Sequence, residues 1–184
     1  MEFRKSSPKR TCNEVFNSYR KYKPHLRQDF KKRCGYVDCS DFWFGGPKSF
    51  HIDHFKPKSK FPELETVYSN LVYCCSYVNI LKTDDEAKYL DPCDTNYNDH
   101  FERDHEGNIS PKKESPVAMY MYGKLKLYLK RYQVIWVLDQ LSEKIDLLGQ
   151  IIEKGVGVSA DIKETYIDLN LKFHKYRRFL SQEQ

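Results

Sequence analysis

No apolar run in this sequence approaches the length of a transmembrane helix, which excludes a helical membrane span. The start, "MEFRKSSPKR", is basic but lacks the apolar centre of a signal peptide, so a cytoplasmic protein is the expectation. No segment carries the Gly-Lys pattern of a P-loop, a dinucleotide fingerprint or a nucleophile elbow. The stretch "DTNYNDH" begins like a calcium loop but lacks Gly at the sixth place and Glu at the twelfth. There is also no complete CxxC pair. The six cysteines are Cys12, Cys34, Cys39, Cys74, Cys75 and Cys93. In a cytoplasmic chain they read as thiols or metal ligands rather than disulfides.

What is present is charge and aromatic surface. The chain of 184 residues is 31% charged and 15% aromatic. It is long enough for one domain, or a small domain with an appendage, around a real core. The net charge of +5 is uneven. Residues 1–60 hold fifteen Lys/Arg against six Asp/Glu, a balance of +9, and the remainder holds sixteen against twenty, a balance of −4. A basic front half with interleaved tyrosine, "SYRKYKPHLRQDFKKR", suits a polyanion such as nucleic acid and equally suits a solvated helix face.

The first ten or so residues read as a flexible arm. "PHLRQDFKKRC" reads as a helix, with Pro24 in its first turn and Leu26, Phe30 and Cys34 on one face. "DFWFGGPKSFHID" reads as two strands around a Gly-Gly-Pro turn, "KPKSKFPELETVY" as an ordered loop and "NLVYC" as a short strand. "SYVNILKTDDEAKYL" reads as a helix, and "HFERDHEGNIS" as a small hairpin turning at Glu106-Gly107-Asn108. Beyond Pro116 two apolar seams step 4-3-4-3-4. One runs through Val134, Leu138, Leu141, Ile145, Leu148 and Ile152, the other through Ile162, Tyr166, Leu169, Phe173, Tyr176 and Leu180. They predict an antiparallel helical hairpin with a Gly-containing turn in "KGVGVSAD". Ile135, Trp136, Leu147 and Ile151 widen the first seam beyond what one partner helix covers.

The segment "HIDHFKPKSKFPELETVYSNLVYCCSYVNILKTD", residues 51–84, concentrates chemistry. On a strand His51 and Asp53 point one way and Ile52 and His54 the other, although twist at a strand end can bring Asp53 and His54 toward one site. Asp53 and Asn79 offer oxygen ligands for a hard divalent ion, and a neutral His54 can take a proton from water. Asn70 can fix the imidazole tautomer. Lys58, Lys82 and the other loop lysines can hold phosphates. Singly, each has an ordinary reading as a satisfied or exposed polar residue, and their combination at this spacing is what argues for a site.

The run "HIDHFKPKS…YSNLVYCCSYVNILKTD" resembles the HNH endonucleases, whose ββα-metal motif is a strand ending in Asp-His, a loop, an Asn-led strand, and a helix with Asn or His before Lys. The resemblance covers residues 33–84. Residues 85–132 are similar to the continuation in stand-alone bacterial HNH proteins, including some of anti-phage defence systems such as the Septu type. It implies an α+β fold with a ββα-metal core, an N-terminal helix and a C-terminal helical hairpin. The corresponding division is a basic arm at 1–23, an HNH nuclease domain at 24–115 and a helical region at 116–184. It implies His54 as general base, Asn70 as its orienting residue, and Asp53 and Asn79 as ligands of Mg²⁺ or Mn²⁺. The implied reaction is cleavage of DNA, with RNA as the alternative, helped by Lys58, Lys82, Lys31, Lys32 and Arg33.

One departure concerns zinc. Family members often hold a structural zinc with two CxxC pairs. The corresponding places here are Cys34/Val37 and Cys75/Val78, with one cysteine of each pair replaced by valine. Packing in place of a structural zinc is the expectation, with Cys39, Cys74 and Cys93 as the thiols that could rescue it. The alternative to an enzyme is a non-catalytic nucleic-acid-binding or partner-docking module on the same scaffold. Implied partners are an ATPase or other sensor protein of a defence complex, or a second copy through the C-terminal helices.

Overall fold

A computed structural model describes residues 1–155 and 157–182. The described chain is α+β, with five α-helices and two two-stranded antiparallel sheets. It divides into two compact units, Met1–Leu129 and Lys130–Gln184. No described helix is long and apolar enough to cross a membrane.

In the first unit, helix α1 spans Lys23–Asp29, with Pro24 in its first turn. Leu26, Phe30 and Cys34 are buried as the spacing predicts. The helix stops short of Cys34 because Lys31 and Lys32 adopt φ of 51° and 62°, which no helix accommodates. A tight knuckle follows, closed by Cys34 N–H donating to the Cys39 carbonyl and Asp38 N–H donating to the Cys34 carbonyl. Its Gly35 donates to the Tyr73 carbonyl at 2.8 Å. A Cβ there would meet Phe30 and Val72 side chains at 2.8 Å, so only glycine lets the knuckle lie this close to the sheet. Cys34, Val37, Cys75 and Val78 are all buried, and the Cys34 and Cys75 thiols are hydrogen-bonded to each other.

The expected strand pair around Gly-Gly-Pro is half present. Asp41–Phe44 and Pro47–Ser49 are 3₁₀ turns, and only Phe50–His54 is a strand, β1. The Asp41 carboxylate accepts from Arg27 Nε at 2.6 Å, Arg27 Nη2 at 3.2 Å and the Tyr73 hydroxyl at 2.8 Å. Those bonds, with Gly45 and Gly46 at φ of 90° and 86°, draw the segment into turns.

Strand β1 pairs antiparallel with β2, Leu71–Cys75, placing His51 opposite Cys74, Asp53 opposite Val72 and His54 opposite Leu71. All five β2 residues are buried, and helix α2, Ser76–Lys82, begins directly after them. This helix ends eight residues before Leu90, the end of the helical reading, because Thr83 turns out at φ 50°. The second sheet pairs β3, Phe101–Arg103, with β4, Ile109–Pro111. Its turn forms where expected: Gly107 takes φ 90° and Asp104 Oδ1 accepts from the Glu106 and Asn108 amides. Helix α3, Pro116–Lys124, follows, capped by Ser115 accepting from Ala118 N–H.

The first residues are ordered rather than a loose arm. Met1 and Arg103 exchange backbone bonds, and Glu2 bridges Glu102. Phe3 is buried against Tyr97 and Phe101. Arg103 is also buried, donating to the carbonyls of Phe3, Gly107 and Val37, so one guanidinium ties three chain segments together.

The second unit is a helical hairpin, α4 at Lys130–Lys154 and α5 at Ala160–Gln182. Every one of the twelve predicted seam residues is buried or half-buried. The expected turn includes residue 156, which lies outside the described residues. Trp136 and Ile151 are half-buried, Ile135 is buried, and Leu147 is exposed together with Ile167 and Leu171.

The closeness of Gly35 to β2 yields a direct test. Gly35→Ala is expected to lower unfolding stability by about 1–3 kcal/mol through overpacking. A denaturation midpoint equal to that of the parent chain would show that the knuckle does not need this approach.

Candidate active site at the end of the first strand

Asp53 and His54 are neighbours whose side chains leave β1 on opposite faces. Asp53 faces α2 and the knuckle. It is buried, its Oδ2 accepting from the Tyr36 hydroxyl at 2.6 Å. The Lys82 ammonium lies 3.1 Å from Oδ2 and 3.3 Å from Oδ1. Lys82, which the sequence placed at phosphate or in solvent, is wholly buried at the last turn of α2. Its remaining bonds go to the carbonyls of His54 at 2.9 Å and Phe55 at 3.1 Å. Burial pushes the Asp53 carboxyl up from the usual range, against the pull of the Lys82 charge and the Tyr36 hydroxyl. Burial also pushes the Tyr36 phenol well up.

Asn79 sits one helical turn before Lys82 and meets a different residue of β1. Its amide nitrogen lies 3.4 Å from His51 Nδ1, and its oxygen lies 3.9 Å from the Cys74 thiol. The two rows on this face thus pair Asn79 with His51 and Lys82 with Asp53. The donor types suit a divalent ion, but their arrangement does not. Both oxygens of Asp53 face Lys82, the carboxylate is shielded from solvent, and an ion beside that ammonium would meet like-charge repulsion in a low-dielectric setting.

His54 occupies the other face, nearly buried. Its Nε2 is 3.0 Å from the Glu65 carbonyl. A carbonyl only accepts, so Nε2 carries the hydrogen and Nδ1 of the neutral ring is left as the proton acceptor. The Tyr19 ring packs edge-on at 4.8 Å between centroids. Burial lowers the His54 pKa below its ordinary value, with Lys58 adding to that effect, while the Glu65 carbonyl and Asp53 oppose it. The base form is therefore present at neutral pH. Lys58 bonds Glu65 Oε1 at 2.9 Å and lies over Tyr19, and Arg20 stacks on the same ring.

Asn70, at the entry to β2, acts on the loop between the strands. Its Nδ2 donates to the Lys56 and Leu64 carbonyls at 3.0 and 3.3 Å, and its Oδ1 accepts from Lys56 N–H at 2.8 Å. These three bonds fold the loop back so that Glu65 presents its carbonyl to His54. The expected link from Asn70 to His54 thus runs through the loop backbone. Tyr19, Arg20, Tyr36 and Glu65 were not marked by the sequence reading as site residues. Glu65 contributes a main-chain atom, for which no side-chain signal exists, and Tyr19-Arg20 lay unmarked within the basic "SYRKY" run.

Lys31 and Lys32 are exposed and line an open groove with Pro24, Arg27 and Gln28. Arg33 instead folds onto the Asp38 carbonyl at 2.8 Å and its carboxylate at 3.4 Å. Comparison with known proteins finds no matching family model, no matching curated protein and no matching solved structure.

The Asp53–Lys82 pair is open to a double-mutant cycle. Asp53→Ala strands a buried ammonium and is expected to cost about 3–5 kcal/mol. Adding Lys82→Met should recover most of that loss. Simple additivity of the two changes in chemical denaturation would show that the pair is not coupled.

Proposed function

We propose that this chain is a nuclease that hydrolyses phosphodiester bonds, with His54 as general base. The observation carrying this reading is the nearly buried imidazole. Its Nε2 is committed to the Glu65 carbonyl, its Nδ1 is left basic, the Lys58 charge acts on it, and Arg20 lies over the Tyr19 ring that packs against it. It is supported by the strand–strand–helix order around "IDH", "YSN" and "SYVN", which the HNH resemblance predicts.

In this reading His54 Nδ1 removes a proton from water, and the hydroxide attacks phosphorus in line with the leaving oxygen. Lys58 and Arg20 offset the negative charge of the phosphate, the electrostatic part of such catalysis. Asn70 holds the loop that fixes the tautomer, and Tyr19 limits water around the ring. The residues around Asp53 do not fit the Mg²⁺ or Mn²⁺ that the resemblance implies, because Lys82 and Tyr36 already occupy its carboxylate. A partner protein on the helical unit belongs to the same proposal, since Leu147, Ile167 and Leu171 are left exposed there.

A second reading, a nucleic-acid-binding module without catalysis, is favoured by one observation: the carboxylate expected to hold the metal is closed by Lys82 and Tyr36. Incubating the purified chain with supercoiled plasmid and with single-stranded RNA, with Mg²⁺ and with EDTA, separates the two. The nuclease reading expects cleavage that falls by about 10²–10⁴ in His54→Ala, with binding retained. Its rate should drop as pH falls through the lowered His54 pKa, below the ordinary value of 6.5, because protonation removes the base. Cleavage unchanged in His54→Ala would remove His54 from the mechanism, and binding without cleavage of either substrate would leave the binding module.

The exposed lysines give a separate expectation. Lys31→Gln with Lys32→Gln should weaken binding of nucleic acid across sequences and reduce the slope of log affinity against log salt by roughly 2. An unchanged slope would make this groove ordinary surface.

A further inference from the structure

We propose that Cys12, Glu14 and His25 form a zinc-binding site that fastens the segment before α1 to that helix. The Cys12 sulfur, a Glu14 carboxylate oxygen and a His25 ring nitrogen all lie within 4.8 Å of one another. Tetrahedral zinc holds such atoms roughly 3.3–3.8 Å apart, so small side-chain rotations complete the geometry. One thiolate, one imidazole and one carboxylate form a donor set of the borderline type that zinc takes and that magnesium or calcium does not. Three protein ligands leave a fourth position, and the exposure of Glu14 opens it to water.

The backbone around the three residues is held in place without the ion. Thr11 donates from N–H and Oγ1 to the Asp29 carboxylate at 2.7 and 2.6 Å, which pins the chain immediately before Cys12. The Tyr22 hydroxyl donates to the Glu14 carbonyl at 3.2 Å and accepts from Phe16 N–H at 3.1 Å. Phe16 packs edge-on against Tyr22 and tilted against His25. Cys12 and Glu14 are thereby presented to the face of α1 that carries His25. Glu14 Oε1 and His25 Nε2 are 3.8 Å apart, too long for a hydrogen bond and suited to sharing an ion. Asp29 is occupied by Thr11 and the Tyr68 hydroxyl and stays out of the donor set. None of the three ligands belongs to the His54 site, and the proposal does not depend on the nuclease reading.

Cobalt substitution tests it on the full chain. Co²⁺ added to the purified protein should give a thiolate-to-cobalt charge-transfer band with intense tetrahedral visible bands, and one equivalent of Zn²⁺ should bleach both. Cys12→Ser should abolish the charge-transfer band. His25→Ala should weaken Zn²⁺ binding by more than the roughly 10–100-fold typical of losing an outer-shell partner. Cys93→Ser should leave the spectrum unchanged, and Zn²⁺ should raise the melting temperature of the parent but not of Cys12→Ser. Absence of a charge-transfer band in the parent, or its survival in Cys12→Ser, would overturn the assignment.

Discussion

The arrangement of the first unit depends on one buried ion pair, Asp53 with Lys82. An ammonium has three donors, and each of the groups around Lys82 is an acceptor: the carboxylate and the carbonyls of His54 and Phe55. The end of α2 is thereby fastened beneath the point where β1 becomes loop. Tyr36 completes the carboxylate from the knuckle side, so helix, strand and knuckle meet at one charge. Burying two ions gains little net stability over apolar packing. What the pair supplies is direction: with Asp53 held toward α2, the alternation of the strand sends His54 to the other face.

The second constraint is the loop between the strands. Its prolines and lysines carry no regular period, and it has no sheet partner to order it. Asn70 supplies what the sheet does not, one side chain satisfying two carbonyls and an amide of the loop. A buried amide group that meets its bonding capacity is costly to displace, since each broken bond leaves a shielded polar atom unpaired. The Glu65 carbonyl is consequently a fixed acceptor for His54. A histidine whose tautomer is set by backbone needs no neighbouring carboxylate, which leaves Asp53 free for its structural bond to Lys82.

These dependencies explain what could be seen in the sequence. The strand reading of "KSFHID", the short apolar run "NLVYC" and the two 4-3 seams are local signals, and each meets its element in the fold. The burial of Lys82 was not visible, because a lysine after a helical turn has the same local sequence whether it faces water or a carboxylate. The turns at Asp41–Phe44 were missed for a similar reason: aromatic residues around "GGP" favour strand locally, and the buried bonds from Arg27 and Tyr73 to Asp41 override that preference. The N-terminal residues looked loose because their ordering partners, Tyr97, Phe101 and Arg103, lie about a hundred positions away.

The basic front half shows a division of labour between the two cationic residue types. Arg4 donates to the Gly35 carbonyl, Arg10 forks onto Asp91, Arg27 onto Asp41, and Arg33 folds onto Asp38. A planar guanidinium suits such fixed acceptors, and these arginines act within the fold. Lys5, Lys9, Lys21, Lys31, Lys32, Lys48, Lys56, Lys58 and Lys60 are exposed instead. A polyanion approaching this unit meets mostly exposed ammonium groups, with Arg20 the exposed arginine, lying over the Tyr19 ring. Ammonium groups neutralise phosphate without the bidentate geometry by which arginine distinguishes guanine. The charge of this half therefore favours backbone attraction that is sensitive to salt and indifferent to base sequence.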